Sequence, residues 1–125
     1  MDKSDLLALT GRIFLATIFL ASAFGKVTSF EPTIGYMTAH GLPAAPLLCA
    51  GAIAMEIFGG LCLVLGYHAR LGAGALTLFM VTTTLVFHLP PEQRIQLLKN
   101  LAIMGGLLQI VAFGPGDLSL DQKTR

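Results

Sequence analysis

Glu56 is the tenth residue of the twenty-residue apolar run Leu47–Gly66. An ionisable carboxyl at such a depth in a lipid-soluble segment is costly unless it is protonated or paired. One helical turn away on its own face stand Ala52, Gly59 and Gly60, small side chains that let another helix approach closely. The Glu56 face is therefore expected to look into a helix bundle. Lys26, His88, Lys99 and Asn100 are the polar groups that the other runs bring to the same side. Counted along the helix axis, Lys99 lies roughly 6 Å and Glu56 roughly 14 Å inside its own run. A lysine arm covers most of that difference, so a Glu56–Lys99 pair is the expected contact. In such a set Lys26, Lys99 and Asn100 donate hydrogen bonds to a ligand oxygen, while Glu56 and His88 exchange protons as the ligand changes redox state. Taken singly the residues have plainer roles: lysines that reach the headgroups, a histidine marking the interface, a protonated carboxyl bonded to backbone.

Four apolar runs must position these groups: Leu6–Gly25, Leu47–Gly66, Leu71–Leu89 and Ile95–Phe113. Each is close to the ~20 residues that cross a hydrocarbon core of ~30 Å. Tyr67-His68-Ala69-Arg70 and the segment around Pro90-Pro91-Glu92 are short enough to force antiparallel neighbours. The expected fold is all-α, an up-and-down transmembrane four-helix bundle forming one domain over residues 1–125. Between the first two runs, Lys26 to Pro46 is too polar to span. Phe30, Ile34 and Met37 there recur at i, i+4 and i+7 beside Tyr36, which predicts a short interfacial helix from about Pro32, with an irregular loop as the alternative. Helical spacing aligns Lys26 with Ala23, Phe19, Ala16 and Arg12; His88 with Thr84, Val81 and Thr77; and Lys99 with Ala102, Gly106, Gln109 and Phe113. Those faces are expected to enclose a half-polar pocket.

Composition points the same way, with 54% hydrophobic and 12% charged residues. A soluble domain carries roughly 25% charged residues, and a globule this small could not hide so much apolar surface. A net charge of +1 with scattered Lys and Arg argues against nucleic acid as a partner. Cys49 and Cys62 lie thirteen residues apart on one run, about 20 Å by helical rise, too far for a disulfide. The singly occurring His40, His68 and His88 do not make a metal or haem site. Ala21-Ser22-Ala23 has the small residues of a signal-peptide cleavage site, but Arg12 interrupts the preceding segment, so the first run is expected to remain a span. Lys3, Arg12, Arg70, Lys123 and Arg125 fall on one side against Lys26, Arg94 and Lys99 on the other. That excess places both termini in the cytoplasm. Arg12 and Arg70 are expected to be structural, reaching phosphates or helix C-terminal carbonyls.

The ordered pieces Gly11-Arg12, Phe24-Gly25-Lys26, Tyr36-Met37, His40-Gly41-Leu42-Pro43, Glu56 to Gly60, Arg70, Phe87-His88, Lys99-Asn100-Leu101, Gly114-Pro115-Gly116 and Leu118 to Asp121 resemble the DoxX family of small bacterial and archaeal membrane proteins. The resemblance runs from Gly11 to Asp121. It implies a four-helix bundle in the cytoplasmic (inner) membrane, associated with quinone-linked redox chemistry and with soluble or membrane oxidoreductase partners. The family's polar positions correspond to Lys26, Glu56, His88, Lys99 and Asn100. The leading expectation is a membrane subunit or accessory protein of a redox system that binds a quinone or similar small molecule, holds no covalent cofactor, and needs a partner for any oxidoreductase activity. The alternatives are a solute or proton transporter using the same pocket, with a homo-oligomer supplying a second half, and a scaffold for partner proteins.

Overall fold

The computed structural model describes residues 3–87, 91–116 and 118–123. Every regular element among them is helical: α1 Lys3–Thr28, α2 Phe30–Ala39, α3 Ala45–Leu65, α4 Ala69–Phe87, a 3-10 turn Pro91–Gln93, α5 Arg94–Phe113 and the single turn α6 Leu120–Lys123. Four of them, α1, α3, α4 and α5, are long and apolar enough to cross a membrane. Only 22–33% of each span is buried inside the protein. Leu7, Phe14, Leu47, Leu78 and Phe113 point outward, as a bundle solvated by lipid requires.

The spans agree with the apolar runs, with one consequential difference. The first run was expected to end at Gly25, whereas α1 continues to Thr28. Asp5 in its first turn and Lys26 in its last both match the helix dipole. Thr10, Thr17 and Thr28 turn their hydroxyls onto the carbonyls of Leu6, Ile13 and Phe24, which satisfies a polar group within lipid. At its far end α3 stops on Gly66, whose φ of 68° is the left-handed cap glycine adopts most readily.

Helix α1 packs chiefly on α3, α3 on α4 and α4 on α5, while α1 and α5 meet along a slight seam. The core runs through Ala16, Phe19, Leu63, Ala73, Leu76, Met80, Met104 and Leu107. On α1 the buried residues are Arg12, Ala16, Phe19 and Ala23, the stripe that helical spacing predicted. On α4 the inward face is Ala69, Ala73, Leu76, Met80 and Thr84, and Val81 is exposed. On α5 it is Asn100, Met104, Leu107 and Ile110, so of the expected stripe Lys99, Ala102, Gly106, Gln109 and Phe113 only Gly106, against Leu15, is partly buried and the others are exposed. The period is the expected alternation of three and four residues; what differs is the register, set by Asn100 rather than its neighbour Lys99 turning into the bundle.

The segment between the first two spans is a helix, α2, and not a loop. Its Phe30, Ile34 and Met37 pack against Ala45, Cys49 and Ile53, so the apolar side of α2 settles on the start of α3.

Packing divides the bundle into two ends. Toward the α3–α4 turn a Cβ added at Gly59 would strike Leu76, at Gly60 Leu20, at Gly72 Cys62 and at Gly106 Leu15. Toward α2 a Cβ at Gly25 or Gly51 would meet nothing within 4 Å. The first is the closed end and the second the chamber end.

Candidate functional site

Helix α3 carries Glu56 into the bundle, where it is 3% exposed. Its Oε1 accepts a hydrogen bond from Lys26 Nζ at 2.9 Å. The expected partner was Lys99, and the structure corrects this. The added turn of α1 keeps Lys26 helical, and a helical side chain leans toward its own N-terminus, which sends the ammonium back along the bundle. Close contact of α1 with α3, permitted by Gly60 beneath Leu20, brings it to the carboxylate. A pair like this is weak evidence of stability, but removing one partner leaves a buried charge and costs about 3–5 kcal/mol.

On the opposing wall Asn100 is 3% exposed. Its Nδ2 donates to Thr84 Oγ1 at 3.0 Å, and its Oδ1 accepts from Gln96 Nε2 at 3.1 Å. The amide thus ties α4 to α5 and keeps one N–H in hand. Lys99, the next residue, is exposed and lines the same space with no ion pair among the described residues. His88 lies outside the described residues.

Lys26, Glu56, Lys99 and Asn100 all border one chamber of about 710 Å³ at the chamber end. This volume falls within the roughly 300–1,000 Å³ of small-molecule sites. Phe19, Met55, Phe79, Met80 and Ile103 supply apolar wall, Gly51 leaves room, and Tyr36 and Met37 of α2 close one side. The result suits an amphiphile: a broad apolar body space with polar groups gathered on facing helices. Cys49 and Cys62 are both free and buried. Among the described residues no three His, Cys, Asp or Glu side chains come together as a metal site.

The closed end holds a second polar cluster. Arg12, 1% exposed, donates from Nη1 to the carbonyls of Leu63, at 2.7 Å, and Val64. Its Nη2 donates to the carbonyl of Leu118. The first two acceptors are C-terminal carbonyls of α3 that lack helical partners, which is the structural role expected of Arg12. Asp121 closes the cluster: its carboxylate accepts from the backbone N–H of His68 at 2.6 Å and of Ala69 at 2.9 Å, capping the start of α4. Its own N–H donates to Gly66 O. Spacing had not singled out Asp121, because a cap supplied from more than fifty residues away leaves no local signature; its only signal was its place in the segment after Gly114-Pro115-Gly116. The turn of α5 into that segment sets Gly114 beside the guanidinium of Arg70.

A family model described as DoxX matches residues 7–89. Two relatives from Escherichia coli K12 align along nearly the whole chain. The inner membrane protein YqjF is 32% identical over 121 residues, covering 94% of this chain and 92% of its own length. The inner membrane protein YphA is 30% identical over 126 residues, covering 94% and 89%. No solved structure matches the chain.

Proposed function

The chain belongs to the DoxX family, and from that footing we propose that it is a membrane subunit or accessory protein of a redox system whose chamber binds a quinone or similar ring carbonyl compound. The observation that carries this reading is the Lys26–Glu56 pair set in the wall of an otherwise largely apolar chamber. A quinone has a flat apolar ring, an apolar tail and carbonyl oxygens that need donors. Lys26, Lys99 and the remaining N–H of Asn100 supply donors, and Glu56 supplies a group able to take up or release a proton when the ligand changes redox state. The chain brings no electron carrier of its own in this reading; a partner oxidoreductase supplies the electrons. Its place is the cytoplasmic membrane, supported by the inner-membrane location in the names of both relatives. The excess of Lys and Arg at the closed end and tail favours both termini in the cytoplasm.

Titration of the purified protein with ubiquinone and menaquinone analogues tests the proposal. Saturable binding is expected, weakened about tenfold or more in Lys99→Ala, which loses one charged hydrogen bond, and in Glu56→Ala, which loses the carboxylate that holds Lys26 in place. Absence of binding by the wild type, or equal binding by both variants, overturns it.

A further inference from the structure

We infer that the chamber takes its ligand as an anion, an amphiphile with an ionised acidic head on an apolar body; this deepens the reading of the chamber as a ligand site and rests on it. Among the described residues three charged side chains border the space, Lys26, Glu56 and Lys99. Lys26 and Glu56 neutralise one another at 2.9 Å. Among the described residues Lys99 has no such partner and Glu56 is the one acid in the wall. Glu31 and Glu92 are exposed and stand outside it. The wall therefore carries one net positive charge in a space bounded mostly by apolar groups and lipid, where screening is weak and a counter-charge is worth far more than in water.

A neutral ligand filling the chamber would displace water from around Lys99 and return at most a hydrogen bond to a neutral oxygen, less than the lost hydration. An anionic head returns a charge-assisted hydrogen bond. The amides of Gln96 and Asn100, already joined to each other, stand one turn before and one residue after Lys99 and offer further N–H groups to the same oxygen. Within the quinone class this selects a ring bearing an ionised hydroxyl; outside it, a long-chain carboxylate has the same chemistry.

Calorimetry on the purified protein in uncharged detergent at neutral pH separates these cases. The probes are an alkylated hydroxynaphthoquinone, ionised at that pH, its neutral methyl ether, laurate and lauryl alcohol. The ionised naphthoquinone is expected to bind about tenfold or more tightly than its ether, the effect of about 1.4 kcal/mol. Laurate is expected to displace it, and lauryl alcohol is not. Lys99→Gln brings the anion's affinity down to that of the ether. Glu56→Gln acts in the opposite direction, because it frees Lys26 and raises the preference for the anion. Should Glu56→Gln fail to fold, Lys99→Gln, a change at an exposed side chain, decides alone. Equal affinity for anion and ether, or a preference that survives Lys99→Gln, overturns the inference and leaves the quinone reading standing. Failure of laurate to compete while the ionised ring still outbinds its ether overturns the carboxylate case and confines the ligand to acidic rings. Failure of every probe and of neutral quinones overturns both.

Discussion

Gly59, Gly60 and Gly72 toward the closed end lie where a side chain of another helix presses against them, whereas Gly51, in the chamber wall, meets nothing within 4 Å. The same residue type in the same kind of helix thus serves two purposes. At the closed end it removes side chain so that helices touch, which is how membrane helices associate without a hydrophobic force between them. At the chamber end it removes side chain and nothing fills the room. The polar groups divide likewise. Arg12 and Asp121 bind backbone carbonyls and N–H groups, whereas Lys26, Glu56 and Lys99 border a cavity. One end is a clamp; the other is held open by it.

Breaking the clamp should have the largest effect. Arg12→Leu strands the carbonyls of Leu63, Val64 and Leu118 and is expected to destabilise the protein by about 3–5 kcal/mol, read as a large fall in Tm in detergent. Lys26→Met, which leaves Glu56 alone, is expected to cost about 3 kcal/mol, and the double variant Lys26→Met, Glu56→Leu to recover most of it while ligand binding stays lost. Recovery of binding along with stability would show that the chamber does not use the pair. Gly59→Val, which drives a side chain into Leu76, is expected to cost about 1–3 kcal/mol. Asp121→Ala removes the cap of α4 for about 1 kcal/mol, measured by chemical unfolding. Gly51→Leu sharpens the contrast from the other side: stability should hold or rise by up to about 1 kcal/mol, while affinity for any chamber ligand falls.

Much of this arrangement is legible in the residues themselves. The spans follow from apolar length, α2 from the spacing of Phe30, Ile34 and Met37, and the inward stripe of α1 from its period. The partner of Glu56 is not, since Lys26 and Lys99 both have the reach and the choice turns on two things no local pattern records. One is the last turn of α1, where Thr28 hydrogen-bonds back to Phe24 and keeps Lys26 helical. The other is that α1 lies closer to α3 than α5 does, although α1 and α3 are joined by the longest connection. The rotation of α5 was obscured for a related reason: Lys99 and Asn100 are adjacent, both polar, and differ by about 100° around a helix, so only packing against Thr84 determines which turns inward. Asp121 depends on a fold already made, because its two acceptor oxygens serve N–H groups of a different helix.

The bond from Arg12 to Leu118 spans 106 positions in the chain, and that separation sets an order of events. Arg12 leaves the ribosome within the first span, and its acceptors on α3 follow some fifty residues later, yet its last acceptor is made only after all four spans. Until then the guanidinium must wait at the membrane surface with water or phosphate for company. Closing the bundle is then a late, long-range step, slow for the same reason that all distant contacts form slowly. Until Leu118 is in place, the four helices have not yet agreed on where their common end lies.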